Sequence, residues 1–508
     1  MLASVTRLAV LSFAAACIVN LLVGPSWIRT ARAQEMLGNS HRVVEVPIHQ
    51  LTEIQEELQY LRARDAERQA WEDSIMKRLP TANFNLVSEN YASGEEAGPH
   101  PSACDECQQS HCASTSCDCD CGCYPCQCPL PQAPCIDCPR VSTLNPYFNV
   151  HIFGALKLDM LFNGARPVSP GTPFFLFPDT PIGFDQETVD LNARQSTLGA
   201  AFTGPRIGSF QSGGLLLAML YNDAVIVDQY GFLPLQAYGE LRNESWRFAA
   251  GLQFDVFSPG IPTVLPFSAL AASGNSGNAF RGQVRLERFL HPADDVQWTL
   301  QAALSEPIVT TIDPTFGLSE DNGWPNVEGR IALGLGGIEG AGLAAKRPFE
   351  IGISGVVGQI RTTEPLVRQV VADVWGLGAD FRWKMTDCFG VMGEVYTGQT
   401  LGTYNAGILQ NVNAATLEGI RSSGGWLEGF LYWTPCLHSH IGYGIDDPID
   451  RDVAALGRVR NSTVYGNLLW DLNQTFRVGF ELAWRETDYK ALPDNEGMGF
   501  HTQFQWAF

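Results

Sequence analysis

From Tyr147 to Phe508, apolar and polar residues alternate with a period of two, in stretches of roughly ten to fourteen residues bounded by Gly, Pro, Asn or Asp. In Phe148–Met160, Phe148, Val150, Ile152, Leu156, Leu158 and Met160 share one side. Asn149, His151, Lys157 and Asp159 take the other, and Phe153 breaks phase. Trp246, Phe248, Ala250, Leu252, Phe254 and Val256 likewise oppose Arg247, Gln253 and Asp255. Phe280, Val284, Leu286 and Leu290 oppose Arg281, Gln283, Arg285 and Glu287. This is the periodicity of a β-strand with two unlike faces.

Sixteen such segments can be marked: 147–161, 189–203, 213–223, 232–242, 245–257, 279–290, 295–305, 325–336, 348–360, 370–383, 389–398, 424–434, 437–445, 460–472, 475–486 and 497–508. Long connections follow the first, fifth, seventh, eleventh and thirteenth. Turns as short as Thr434–Pro435 and Asn473–Gln474 follow the twelfth and fourteenth. An even strand number with long loops on one side and short turns on the other predicts an all-β transmembrane barrel of outer-membrane type. In hydrocarbon every backbone polar group must pair inside the protein, so a spanning sheet has to close on itself. The last segment, "GFHTQFQWAF", alternates to its final residue, as a strand closing the barrel against the first would. Its outward Trp506 and Phe508 suit an interfacial aromatic belt, and the terminal Phe resembles an outer-membrane assembly signal.

Composition alone would not reveal this. The 508 residues are 45% hydrophobic, and a net charge of −21 with only 33 Lys and Arg argues against a nucleic-acid partner. The start of the chain is different. Arg7, the apolar run Leu8–Val23 and the small-x-small Ala31–Ala33 read as a secretory signal peptide (1–33) cut before Gln34. Cys17 does not make a lipoprotein box, because the Leu expected three residues before it is missing and apolar sequence continues past it. Segment 34–80 reads as helix. Leu51, Ile54, Leu58 and Leu61 form a narrow apolar seam that Asp65, Arg68 and Glu72 interrupt and Ile75 and Leu79 resume, the pattern of a short coiled coil; Pro80 ends it.

Residues 81–145 form a low-complexity linker, with eleven cysteines between 104 and 138. Secretion into an oxidising compartment favours disulfides, and the odd number leaves one for another chain or unpaired. The C-x-x-C pairs Cys104/Cys107 and Cys135/Cys138 also carry zinc-like spacing. A disulfide-linked connector, a metal-binding tract and an unstructured segment all remain open at this point.

A barrel of about sixteen strands leaves an aqueous channel, so its inward residues are the candidate functional ones. Arg247, Arg281 and Arg285 share the inward phase on two neighbouring strands, and Arg194 is a further candidate. The inward acids are Asp159, Asp255, Glu240, Glu287, Glu328 and Glu481. Simple antiparallel register sets Arg281 near Asp255 and leaves Arg247 toward the short-turn side. Mixed charge across a pore orients polar solutes and biases ion selectivity, although paired charges also serve only to keep the wall hydrated. The connection Ser258–Asn278, containing Pro262 and Pro266, is oddly apolar for a loop in outside water. Folded inward, it would be the constriction. An enzyme is disfavoured: His151 and His501 face inward at different depths, no G-x-S-x-G elbow occurs, and the glycines of 334–342 precede no helix pattern.

The seam at 51–61, "GALKLDMLFN" (154–163), "NARQSTLGAAF" (192–202), "AGLQFDVFSP" (250–259) and "FRGQVRLERF" (280–289) resemble the DcaP-like family of outer-membrane porins. That resemblance implies a periplasmic coiled coil ahead of a sixteen-stranded barrel, a homotrimer, and uptake of small, often anionic, solutes; no cofactor is expected. The cysteine tract departs from the family pattern. It leaves a second reading, an envelope-tethering protein whose barrel is only an anchor in outer-membrane lipid.

Overall fold

The computed structural model describes residues 149–180, 186–221, 230–307, 324–339, 346–363, 369–413 and 415–508. The expected signal peptide, coiled coil and linker, with Cys104, Cys107, Cys135 and Cys138, lie outside the described residues.

One antiparallel sheet closes into a barrel. Its strands are β1 (Asn149–Asn163), β2 (Thr188–Asn192), β3 (Thr197–Ile207), β4 (Phe210–Tyr221), β5 (Tyr230–Arg242), β6 (Trp246–Phe254), β7 (Phe280–Ala293), β8 (Val296–Ser305) and β9 (Asn326–Leu335). They continue as β10 (Phe349–Thr363), β11 (Gln369–Lys384), β12 (Phe389–Gln399), β13 (Arg421–Thr434), β14 (Leu437–Pro448), β15 (Arg458–Asp471), β16 (Phe476–Tyr489) and β17 (Asn495–Ala507). From β3 on, each pairs with its sequence neighbour, β2 and β3 both pair with β1, and β1 pairs with β17 to seal the wall, Ala155 opposite Ala507 and Asn163 opposite Gly499. Beyond the last pair, Gly154 and Phe508 exchange both backbone hydrogen bonds at 3.0 Å.

The sequence reading expected one strand at 189–203, and the structure shows it in two pieces. Both β2 and β3 pair with β1, so together they form a single stave of a sixteen-stave wall. Residues 193–196 bulge between them, and Ser196 Oγ replaces the interrupted ladder. It accepts from Lys157 N at 2.8 Å and donates to Lys157 O at 3.2 Å. A second irregularity falls at Pro234 in β5, which has no N–H to give the ladder.

Short turns join β3–β4, β5–β6, β7–β8, β11–β12, β13–β14 and β15–β16 at one rim, and the long loops leave the other. The outer face is apolar and uncovered: Ile441 is 68% exposed, Ile353 66% and Leu156 58%. A water-soluble chain does not leave so continuous an apolar belt unburied; a lipid bilayer covers it. Trp246, Trp298, Trp383, Trp433, Trp470 and Trp506 project outward near the short-turn rim, an aromatic girdle at one interface.

Candidate functional site

The inner face is where the wall and its loops meet. L3, the connection 255–279 between β6 and β7, lies inside the barrel. A loop has no ladder partner, so its backbone amides need acceptors from elsewhere. The wall supplies them in order around the circumference. Glu328 on β9 accepts from Val256 N at 2.6 Å and Phe257 N at 3.1 Å, and Ser354 on β10 accepts from Ser258 N at 3.0 Å. Glu394 on β12 accepts from Gly260 N at 2.8 Å, Glu428 on β13 from Thr263 N at 2.6 Å, and Glu481 on β16 from Leu265 N at 2.8 Å. Gln195, in the bulge beside β3, donates to Leu265 O at 3.0 Å. L3 is therefore pinned along the wall from β9 round to β16.

The four expected loop residues all take part. Ser258 is fully buried and Pro262 and Pro266 are buried. Asn278, at φ 56°, donates to Gly260 O at 2.7 Å, bringing the two ends of the loop together. At Gly274 (φ +102°) a Cβ would stand 2.1 Å from Gly425 O, so only glycine lets the loop lie this close to β13.

L6, the connection 400–420, also folds inward, with Leu401, Tyr404, Ala406 and Ile408 fully buried. It bonds to L3 through Ala272 N to Asn405 O and Gly277 N to Tyr404 O, both 2.7 Å. All ten non-glycine residues with positive φ among the described residues lie in L3 and L6 or at their ends. Ile408, β-branched at φ 50°, stands in this strained state because Asp446 Oδ2 accepts its N–H at 2.7 Å and its carbonyl accepts from Arg458.

The expected site residues sort into four groups. Arg281 and Asp255 are paired at 2.5 Å, as the register implied, and both side chains are fully buried. Arg281 also donates to Thr403 O at 2.6 Å and its guanidinium lies 3.9 Å from the Tyr404 ring centroid, so it ties L3 to L6 and does not face water. Arg247, Arg285, Glu240 and Glu287 form a second group on β5–β7. Arg247 reaches Glu240 at 2.5 Å and Glu287 at 3.1 Å, and Arg285 lies 3.6 Å from Glu287. Both arginines stay half-buried at the inner surface. Arg194 pairs with Asp190 at 3.1 Å against L1 (164–187). Asp159 is fully buried and faces His501 Nε2 at 2.8 Å and Gln503 Nε2 at 2.7 Å.

Sequence reasoning missed Glu394, Glu428, His438, His440 and the inward course of L6. The signals were present: both acids occupy inward parity in strands otherwise rich in glycine and apolar residues, and "LGTYNAGILQNV" (401–412) is as apolar as L3.

No family model matches the chain, and no curated protein matches it. Among solved structures it is similar to the outer membrane channel DcaP of Acinetobacter baumannii, at 14% identity and TM-score 0.55, over 71% of this chain and 97% of that one. It also matches an anion-selective porin from Comamonas acidovorans at 12% identity and TM-score 0.46, over 71% and 100% of the two chains. OprB of Pseudomonas putida matches at 8% identity and TM-score 0.42, over 71% and 94%. The likeness to DcaP extends over the barrel and establishes its fold.

Proposed function

We propose that this barrel is an outer-membrane porin, a water-filled channel for passive diffusion of small polar solutes with a preference for anions, and not an enzyme. One observation carries the reading: a closed sixteen-stave wall, apolar outside and polar inside, with L3 pinned along its inner face. L3 is then the constriction, and the short-turn rim, where β1 begins, is periplasmic, with residues 34–145 on that side. The apolar seam at 51–61 would join copies of this chain, which supports a homotrimer here.

The anion preference follows from how the inward charges are used. Glu328, Glu394, Glu428 and Glu481 point at L3 amides, which occupy part of each carboxylate. Lys157, Arg247, Arg285 and Arg382 remain half-buried at the inner surface, and Arg382 donates to a backbone carbonyl, Arg347 O at 2.8 Å. A chain with a net charge of −21 can thus present cations where solutes pass.

The test is the reversal potential of the reconstituted chain in a planar bilayer under a KCl gradient. Anion preference is expected, and Arg247→Ala and Arg285→Ala should each move it toward cations. An unmoved reversal potential would reduce both arginines to wall structure. A barrel that inserts and carries no current would remove the porin and leave the tether.

A further inference from the structure

Where the wall holds L3 at Thr263, a line of hydrogen bonds leads away from the loop to the short-turn rim. Glu428 is fully buried. Its Oε2 accepts from Thr263 N–H and Tyr465 O–H, both at 2.6 Å. Its Oε1 lies 2.6 Å from His440 Nδ1. His440 Nε2 lies 2.8 Å from His438 Nδ1. His438 Nε2 stands 3.8 Å from Asp471 Oδ2, too far for a hydrogen bond, and Arg477 grips Asp471 at 2.5 Å. We propose that this histidine pair is a proton-operated latch that sets how firmly L3 is held.

The partners dictate where the protons sit. As a carboxylate, Glu428 accepts on both oxygens, and His440 then carries its proton on Nδ1. Its Nε2 must then accept, so His438 carries its proton on Nδ1. That leaves His438 Nε2 bare and turned toward Asp471. One added proton fits there and converts a 3.8 Å gap into an ion pair without breaking a bond. A second proton has only His440 Nε2 to occupy. Both facing nitrogens would then carry hydrogen 2.8 Å apart, and two imidazoliums would repel. The rings must part, and Glu428 loses the partner that aims it at Thr263.

The surroundings oppose the second proton more than the first. Glu428 on β13 and Asp471 at the end of β15 are the anions in reach, with Glu481 on β16 already tied to Leu265. Against them stand Arg477 on β16, Arg382 on β11, which lies over Phe430, and Lys346, which feels Glu428. Tyr432 stacks on His438 with centroids 4.9 Å apart, and Tyr465 completes the shell from β15. The latch therefore stays closed until acid loads both rings.

The latch rests on the porin reading only for its effect on current, so its test reads the loop directly. In the full chain folded in detergent, amide hydrogen exchange in the peptide covering 260–266 is compared between pH 7 and pH 5, corrected for intrinsic rates. The expected result is an acid increase of about tenfold, the consequence of losing one hydrogen bond. His438→Gln should abolish it. A side-chain amide can donate to His440 Nε2, or turn over and accept from it, so the pair survives acid. Should His438→Gln follow the same acid profile as the parent, or the parent show no acid step, the latch is wrong. If exchange behaves as expected in a barrel that carries no current, the porin reading fails and the latch stands.

Discussion

Arg281 has a fully buried side chain, and its polar and ring partners come from L3, L6 and the start of the β8–β9 connection: Asp255, Thr403 O, the Tyr404 ring and Glu306 O. Taking away one partner of such a pair costs about 3–5 kcal/mol, because the other charge stays buried without compensation. Arg281→Ala should therefore lower the temperature at which the folded barrel unfolds in detergent. The double change Asp255→Ala/Arg281→Ala should recover part of that loss. A double variant as unstable as the single would show that the stranded carboxylate is not the cause. The pairing was legible in the sequence, since inward parity and antiparallel register put the two residues near each other, with Gln253 opposite Arg281 and Asp255 two residues on. Its enclosure was not. Thr403 and Tyr404 arrive from more than 120 residues downstream, and no local pattern announces that they meet Arg281.

At the level of elements, strands were easier to read than loops. A strand's two faces leave a period-two trace whatever its partners, whereas L3 and L6 are shaped by acceptors placed one at a time on distant staves. The apolar composition of L3 was still enough to place it inside. Because the staves are joined by their own backbone ladder, removing part of L3 leaves them paired. Deleting 262–275 should raise single-channel conductance, and an unchanged conductance would exclude L3 as the constriction. L7 (449–457) is joined to the start of β13, where L6 ends, by Arg421 and Asp452, whose two charged hydrogen bonds measure 2.7 and 2.9 Å. The hydrogen bond from Arg421 holds the Asp452 carboxyl below the usual carboxylate range. A carboxyl whose folded pKa is depressed stabilises its fold at pH above the unfolded value of about 3.9, and loses that contribution as pH falls through the folded value. Hydrogen exchange in 449–457 should accordingly stay slow from neutrality down to about pH 4 and quicken below it. Arg421→Ala should show no such step.

For the molecule as a whole, closure matters more than any single contact. β17 pairs with β16 over Phe476–Thr487 and with β1 over Ala155–Asn163, so it is the stave that turns a curved sheet into a wall without edges. Removing 497–508 would expose two rows of backbone donors and acceptors in hydrocarbon, each unsatisfied group costing several kcal/mol. No rearrangement of side chains can meet that cost, since the missing partners are peptide groups. The truncated chain should fail to give a heat-stable folded band in detergent. Phe508→Ala should give one, because the hydrogen bonds between residues 154 and 508 are made by main chain and survive loss of the ring. If the truncated chain still folded to a heat-stable barrel, β16 would have to pair directly with β1. That register slides Glu481 and its hold on Leu265 away from L3, so conductance would change together with the closure.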